Sequence, residues 1–546
     1  MTCSIVTRPP RTGALGWPAL LPIATFLAAA VIHLPGRAQD APSAIAAPKA
    51  ASKETEARIS EQVEGAVVKI FATTRRPDLT RPWTRQPPAE VTGSGVVIDG
   101  HRILTNAHVV AYAGQLQVQA DREGDKYAAK VAAVSPAMDL AVLTLDDDAF
   151  FQRHAPLERS AALPQIKDAV LAYGFPVGGT SLSITKGIVS RIEFVGYNSN
   201  AAGLRVQIDA AINPGDSGGP ATVGDKMIGL AFSSLGGAQN IGYIIPNEEI
   251  ELFLRDIADG HYDGKPMLFD DLQTLENPAL RSFLKLDPSV HGVVVHRPFR
   301  HDADYPLHEW DVITAIAGVP VDDEGMILVD RNLRLSLRYQ IQHSARDGRI
   351  RLDLVRSGKK LSVEVPLLVD RPALLKPLEG GYPSYFIYGP TVFSRASLEL
   401  MSGLRGQAGT LSLASSPLVT RLFDEPTPER EELVVIPAPL FPHPISKGYG
   451  NVVDSVVYSV NGVPVRSLAH LVALLRDLKD EFVVIAFDSK RAGEGLVFRR
   501  SQMNSATEEI LSDNGVRSQG SPDMLAVWEG KEGGKVAGAE GAAPPK

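Results

Sequence analysis

The chain has 546 residues, a length that suggests three or four domains. Its hydrophobic content of 44% and charged content of 22% are ordinary for a globular protein. The net charge of −8 gives no electrostatic reason to expect nucleic acid as a partner. The single cysteine, Cys3, excludes a disulfide framework and a cysteine-based metal site.

The N-terminal residues have the pattern of an export signal. Arg8 and Arg11 supply positive charge, an apolar run follows over residues 14–34, and Gly36-Arg37-Ala38 offers small residues to a signal peptidase. We therefore predict a signal peptide over residues 1–38 and a periplasmic protein. The apolar run approaches the length that spans a bilayer, so an uncleaved anchor facing the periplasm is the alternative. Contact with a membrane is expected only in that case.

A β-rich domain is predicted after a short tether. Residues 39–54 are rich in Ala and Pro and predict a flexible linker. From residue 55 to 258, short apolar runs punctuated by Gly, Pro and Asp indicate an all-β sandwich or barrel. The predicted strands are Ala66–Phe71, Gly95–Ile98, Leu116–Val118, Ala129–Val134, Ala141–Leu145, Ala169–Tyr173, Gly187–Ile192, Leu204–Ile208, Met227–Phe232 and Gly242–Ile245.

Polar residues of catalytic type stand beside two of these apolar runs. His108 follows the strand-like segment that includes Leu104, and Asp139 precedes the run that begins at Leu140. A serine hydroxyl is a weak nucleophile at neutral pH and needs a neighbouring imidazole to take its proton. A carboxylate must in turn hold that imidazole in the right tautomer. These two segments therefore predict the base and its orienting acid.

A glycine-rich turn over Asn213–Pro220 supplies the predicted nucleophile, Ser217. Glycine adopts backbone angles closed to other residues, so such a turn can expose a hydroxyl and aim N–H groups at one point. We predict His108, Asp139 and Ser217 as catalytic residues. The predicted oxyanion hole is the segment Gly215, Asp216 and Ser217, with the N–H groups of Gly215 and Ser217 as donors. The order His, Asp, Ser along the chain is that of chymotrypsin-type enzymes.

The wall of the substrate pocket is predicted from the residues around this turn, namely Ala211, Ile212, Ala231, Phe232 and Ser233. An apolar pocket of this kind suits small or medium aliphatic side chains. The alternative that these residues belong to the barrel core stays open. Segments 180–186, 193–203 and 233–239 are rich in Gly, Ser and Asn, and we expect mobile loops there that switch the oxyanion hole on and off.

The pattern changes after a helix that is predicted to begin with Asn247 as its cap. Residues 260–266 predict a linker. Residues 266–375 contain a strand at Gly292–Val295 and a hairpin of Ile350–Arg356 and Lys360–Val365 joined through Ser357-Gly358-Lys359.

A similar order recurs over residues 381–490, which indicates an internal duplication. It comprises a strand at Leu433–Pro437, a turn within Val456–Val465 and a helix at Leu468–Leu478. Residues 491–513 form a predicted C-terminal extension. Residues 514–546 become polar and rich in Gly, Ala and Lys, which predicts a disordered tail.

Several motifs together resemble the HtrA/Deg serine proteases, and the two-PDZ Deg proteases most of all. The resemblance implies a mainly β fold: a chymotrypsin-like double β-barrel followed by two PDZ-like α+β domains. It also implies homo-oligomers built from trimers. The predicted Ser-His-Asp mechanism needs no metal or organic cofactor. Asp216 departs from the family, which usually carries Asn there. The motifs are Gly93–Ile98, Leu104–Val110, Asp139–Leu143, Gly174–Pro176, Asp209–Pro220, Asn240–Pro246, Ser384–Ile387 and Val460–Val465.

The predicted function is that of an exported, ATP-independent serine endopeptidase that hydrolyses unfolded or damaged proteins. Two alternatives remain: a chaperone or scaffold that binds unfolded chains with little cleavage, and a regulatory protease with one defined partner. The first PDZ-like segment begins with Pro266–Asp271, which has no glycine and two acids. Because those acids would repel a terminal carboxylate, ordinary C-terminal peptide recognition is doubtful there.

Overall fold

The structure is a computed structural model that describes residues 60–177, 179–198, 201–232, 242–488 and 495–531. The predicted signal peptide and the predicted linker after it lie outside these residues. So do Ser233 of the predicted pocket and the predicted mobile segment 233–239.

In the described part of the chain, twelve strands close into two six-stranded antiparallel barrels. Strand alternation explains the inward faces: in β1, Val68, Ile70 and Ala72 are buried while the residues between them are partly exposed. The strands of the first barrel are β1 (Val67–Thr74), β2 (Ala89–Ile98), β3 (Arg102–Thr105), β4 (Ala113–Ala120), β5 (Tyr127–Ser135) and β6 (Leu140–Leu145). Those of the second are β7 (Ala169–Gly174), β8 (Ser183–Asn198), β9 (Ala201–Ile208), β10 (Pro220–Val223), β11 (Lys226–Phe232) and β12 (Gly242–Pro246).

Each strand predicted in this region overlaps an observed one, but β10 escaped the sequence reading. The strand β10 has only four residues, between a glycine-rich turn and Gly224, and this is too short to show an alternating apolar pattern. The segment 193–203 was wrongly expected to be a mobile loop. Its described residues belong to the paired ends of β8 (193–198) and β9 (201–203), where Val195 lies opposite Gly203.

Helices are few in the barrels. They are residues 60–66 (α1), α2 (Ala107–Val110), α3 (Ala149–Arg153) and α4 (Asn247–Asp256). Asn247 does not cap α4 as expected. Its side-chain amide instead donates to the carbonyl oxygens of Met227 and Ser160, at 2.5 and 2.9 Å, and so fastens the helix to the second barrel.

The middle module, residues 266–368, consists of a six-stranded sheet, a two-stranded sheet and two helices. The predicted hairpin is confirmed: β19 (Arg349–Arg356) pairs with β20 (Lys359–Pro366), and the turn carries Ser357 at φ +49° and Gly358 at φ +79°. Its elements are β13 (Asp271–Thr274), α5 (Pro278–Phe283), β14 (Val293–Arg297), β15 (Val312–Ile316), β16 (Val319–Pro320), β17 (Met326–Asp330), β18 (Leu333–Ser336), α6 (Leu337–Ser344), β19 (Arg349–Arg356) and β20 (Lys359–Pro366).

The junction between the second barrel and the middle module is held by a buried ion pair. Lys265 Nζ lies 2.7 Å from Glu249 Oε2, and the two side chains are 9% and 4% exposed. The Lys265 ammonium also donates to the Ala202 carbonyl, and Leu204 N–H donates to Glu249 Oε1. The predicted linker therefore forms a fixed contact.

The C-terminal module spans residues 374–531. It contains a three-stranded sheet, β21–β22–β23, and a four-stranded sheet, β25–β24–β26–β27. The helices over residues 468–477, 500–513 and 522–528 share one apolar core with both sheets. Its elements are β21 (Tyr385–Tyr388), β22 (Thr391–Arg395), α7 (Leu398–Gly403), α8 (Ala408–Leu413), α9 (Pro417–Thr420), β23 (Val434–Val435), β24 (Val457–Val460), β25 (Val463–Pro464), α10 (Leu468–Asp477), β26 (Phe482–Phe487), β27 (Leu496–Arg499), α11 (Arg500–Asp513) and α12 (Pro522–Trp528).

The expectation of a disordered tail from residue 514 is wrong for residues 514–531. Ile387 N–H donates to Gln519 O at 2.8 Å and Ser521 N–H to Tyr385 O at 3.0 Å, so the chain returns to β21 before α12. Trp528 then packs on Phe386, with ring centroids 5.1 Å apart. Within the described ranges, no helix has the length and apolar composition needed to cross a membrane.

Candidate active site

The side chains of His108 and Asp139 meet at one end of the first barrel. His108 lies on α2, directly after β3, and Asp139 directly precedes β6, the strand that pairs with β3. The His108 Nδ1 atom is 2.8 Å from Asp139 Oδ2, and the His108 backbone N–H donates to Asp139 Oδ1 at 2.9 Å. The carboxylate thus fixes both the ring and its backbone.

This pair is buried on one side and open on the other. The Asp139 side chain is 10% exposed, whereas the imidazole is 45% exposed. Asp139 has φ +58°, an uncommon conformation for a residue other than glycine, and its carbonyl accepts a hydrogen bond from the Asn106 amide at 2.9 Å. Because Nδ1 faces the carboxylate, Nε2 is the ring nitrogen left for proton transfer.

The turn that carries Ser217 belongs to the second barrel, between β9 and β10. Gly215 has φ +101° and Gly218 has φ +88°. A Cβ at position 215 would lie 2.5 Å from the Phe175 carbonyl oxygen, and one at position 218 would clash with the Ser94 carbonyl oxygen. Both conformation and space therefore require glycine at positions 215 and 218.

Ser94 of β2 joins the two barrels at this turn. Its N–H donates to the Ser217 carbonyl at 2.9 Å, and its hydroxyl donates to the Gly215 carbonyl at 2.7 Å. The Thr105 hydroxyl, three residues before His108, donates to the Ser94 carbonyl at 2.7 Å. The same strand thus binds the turn of Ser217 and the segment that leads to His108.

The sequence reading missed Ser94, Thr105 and Asn106 as parts of the site. All three lie inside motifs already singled out, and each is completely buried. A buried hydroxyl or amide needs a hydrogen-bond partner, so polar residues within these apolar motifs indicate buried hydrogen bonds near the site. Their partners are distant in sequence, so sequence alone did not name them.

Asp216 is a buried carboxyl beside Ser217. Its side chain accepts the Asn213 N–H at 2.8 Å, and its own N–H donates to the Asn213 carbonyl at 3.0 Å. That N–H is therefore hydrogen-bonded within the turn. Burial raises the pKa of Asp216, and hydrogen bonds from Asn213 offset this in part. Its Oδ1 atom is buried and has no hydrogen-bond partner among the described atoms.

The predicted pocket residues have different surroundings. Ala231 is fully buried, and its backbone pairs with the Ser217 turn through Gly218 N–H and Gly219 O. Phe232 is half-buried, with its ring edge-on to His108 at 6.4 Å between centroids. Ala211 is exposed and Ile212 half-buried.

Comparison with known proteins agrees with this architecture. The trypsin-like peptidase domain family matches residues 93–230, and the PDZ domain family matches residues 378–523. The chain is 35% identical over 469 residues to Protease Do-like 2, chloroplastic, of Arabidopsis thaliana. The aligned region covers 85% of this chain and 76% of the relative. The chain belongs to the HtrA/Do-like family of serine proteases.

Two further similarities were found for this Do-like protease. Protease Do-like 4, mitochondrial, of Arabidopsis thaliana is 33% identical over 477 residues, which cover 84% of this chain and 88% of the relative. The solved structure of the HtrA-type protease AlgW with a tripeptide is 26% identical, with a TM-score of 0.46, and covers 58% of this chain and 98% of that one.

The Do-like protease is therefore a serine endopeptidase, with a mainly β fold of two barrels and a C-terminal PDZ domain. The predicted family and enzyme class are confirmed. The family match covers one PDZ domain, in the C-terminal module.

Proposed function

We propose that this enzyme cleaves peptide bonds with Ser217 as nucleophile, His108 as base and Asp139 as the group that orients the base. The observation that carries the proposal is the two-point hydrogen bonding of His108 to Asp139, at 2.8 and 2.9 Å. His108 Nε2 takes the proton of the Ser217 hydroxyl as that oxygen attacks the carbonyl carbon, and later gives it to the leaving amine. Water then releases the acyl group by the same route.

Backbone N–H groups of Gly215 and Ser217 hold the oxyanion in this proposal. The left-handed conformation of Gly215 and the use of the Asp216 N–H inside the turn support that choice of donors. Loss of one such donor typically costs roughly a hundred- to a thousandfold in kcat. We also propose that Ala211, Ile212, Ala231, Phe232 and Ser233 form the wall of an apolar pocket for small aliphatic side chains.

The proposed substrates are unfolded or damaged proteins, which are cut without ATP. A half-exposed imidazole on an open barrel rim suits extended segments of polypeptide. The other candidates, a chaperone with little cleavage and a regulator with one partner, gain no specific support. We further propose that the middle module is a second PDZ-like domain and that the enzyme assembles as a trimer or a multiple of trimers.

For the cellular location we propose export to the periplasm. The support is the order of basic, apolar and small residues over positions 1–38. The two Arabidopsis relatives are described as chloroplastic and mitochondrial, so an organellar address is the competing proposal. Fractionation of the native host, with the mature N-terminus sequenced, distinguishes the two.

Casein digestion and fluorophosphonate labelling test the catalytic proposal. Ser217→Ala is expected to abolish labelling and to lower cleavage by roughly four orders of magnitude or more, because the nucleophile is lost. The matched control is Ser505→Ala, an exposed serine on α11, which should behave as wild type. If Ser217→Ala digests casein as fast as wild type, Ser217 is not the nucleophile. If wild type and Ser217→Ala are equally inert yet both suppress aggregation, the chaperone alternative replaces the protease.

A further inference from the structure

A hairpin over residues 75–88, between β1 and β2 of the first barrel, reaches the C-terminal module. Its two arms are joined by hydrogen bonds from Gln86 N–H to Arg76 O at 2.8 Å and from Asp78 N–H to Thr84 O at 3.4 Å. The Asp78 carboxylate accepts the N–H groups of Thr80 and Arg81, each at 3.0 Å, and so closes the tip. The hairpin is therefore built as a defined projection from the catalytic barrel.

Two apolar side chains of this hairpin enter the C-terminal module. Leu79 packs against the buried cluster that contains Leu400 and Leu433. Trp83 packs against a second cluster, and its ring centroid is 5.3 Å from that of Phe441. Burial of apolar surface from both sides gives this contact a driving force beyond single hydrogen bonds.

Tyr382 of the C-terminal module lies at the base of the hairpin. Its hydroxyl donates to the Arg75 carbonyl at 3.0 Å. The Arg85 guanidinium lies over its ring, 4.3 Å from the centroid, which is cation–π geometry. On another side the ring meets Tyr112 edge-on, with centroids 5.8 Å apart. One side chain thus contacts three residues of the first barrel.

Tyr112 connects this contact to the catalytic histidine. It stands two residues after α2, the four-residue helix that carries His108, and its carbonyl accepts the Arg75 N–H at 2.9 Å. Tyr112 has φ +60°, a strained conformation for an aromatic residue. Such strain persists only where the surroundings hold it. The helix α2 has no side-chain N-cap bond and is held by burial of Ala107, Val109 and Val110 and by the bond from the His108 N–H to Asp139. Its C-terminal end leads within two residues to Tyr112, so a shift of Tyr112 acts directly on that end.

We propose that Tyr382 is a positioning residue for the proteolytic reaction: the docked C-terminal module holds Tyr112 and α2, and so holds the His108 imidazole in line for proton transfer. The inference rests on the proposed role of His108. Undocking the module lets Tyr112 relax and α2 shift, and small displacements of a catalytic group lower the rate of the chemical step. The module thereby controls turnover from outside the active site.

The test compares Tyr382→Ala, Tyr382→Phe and the control Tyr458→Ala in the full-length enzyme. Tyr458 lies in the same module and is 44% exposed, close to the 40% of Tyr382. For a peptide taken from a wild-type cleavage site, Tyr382→Ala should lower kcat and the rate of fluorophosphonate labelling by about tenfold or more, with KM nearly unchanged. Tyr382→Phe keeps the ring contacts and should restore most of the rate.

A second variant, Trp83→Ala, weakens the same docking from the barrel side and should lower kcat in the same way. Thermal unfolding shows whether each variant is folded, and the variants that remain folded are compared. If wild type reacts and folded Tyr382→Ala or Trp83→Ala reacts equally fast, the inference is wrong while the proposed function stands. If wild type itself neither labels nor cleaves, the proposed function fails and this inference falls with it.

Discussion

At the scale of single residues, Asp216 is the most unusual side chain of the site. It stands next to Ser217 and is 5% exposed, and burial raises its pKa. A raised pKa means that the folded protein holds this proton more tightly than the unfolded chain does. The stabilising contribution of the protonated form is therefore complete below the ordinary pKa of about 3.9 and is lost as pH rises through the folded pKa.

Asp216→Asn should accordingly become more stable relative to its parent as pH rises. The amide oxygen keeps the bond from Asn213 N–H without a buried charge, and each unit of raised pKa corresponds to about 1.4 kcal/mol. Thermal unfolding in a Ser217→Ala background, which avoids self-digestion, measures the difference at pH 4 and pH 7.5. We expect the unfolding midpoint of Asp216→Asn to rise relative to that of its parent by about 2–4 °C for each kcal/mol of stability gained. A difference that does not change with pH would show that Asp216 keeps its ordinary pKa.

At the scale of elements, the ion pair of Glu249 and Lys265 connects α4, β9 and the start of the middle module. The space is so tight that a Cβ at Gly203 would lie 2.6 Å from the Lys265 ammonium. A pair this deeply buried is costly to break, because removing one partner leaves the other charge buried without a compensating charge from that partner. The junction therefore depends on an ion pair that could not be predicted from the sequence of the linker at residues 260–266.

Lys265→Met should destabilise the protein by about 3–5 kcal/mol, since Glu249 keeps only the Leu204 N–H as a described partner. The double variant Lys265→Met/Glu249→Gln should recover most of this loss, because the glutamine oxygen still accepts that N–H without a charge. Urea denaturation, with Ser217→Ala as the inactive parent, gives the change in the free energy of unfolding for each of the two variants. Equal stability of the single variant and the parent would mean that the pair contributes nothing.

At the scale of the whole molecule, the second barrel and the middle module share one apolar core. Val206 and Ile244 of the barrel belong to the same buried cluster as Val293 and Leu335 of the module. The Tyr339 hydroxyl donates to Glu248 at 2.6 Å across the same boundary. Two units that bury each other's apolar surface are expected to unfold together.

A fragment of residues 55–260 should therefore be less stable than a fragment of residues 55–372. Loss of the middle module exposes apolar surface of the barrel, which lowers the unfolding midpoint and increases binding of a hydrophobic dye. Calorimetry of both fragments with Ser217→Ala measures this. Should the two midpoints coincide, the shared core would not couple the units.

Much of the site could be predicted because its requirements are local. The positive φ angles of Gly215 and Gly218 follow from the turn that surrounds Ser217, and only glycine meets them readily. His108 follows one apolar strand and Asp139 precedes another, a pattern visible in a few residues. The double-barrel fold follows from strand patterning together with family motifs.

Most barrel strands, the glycine turn and the residue types of a serine protease could be predicted, because these features depend on neighbours along the chain. Three contacts could be identified only in the folded molecule: Ser94 binds the Ser217 turn, residues 519–521 return to β21, and Tyr382 contacts Tyr112. Those contacts join segments up to some hundreds of residues apart, and no local pattern specifies the partner. Distant partners are selected by the packing of whole elements, which is resolved only when the chain folds.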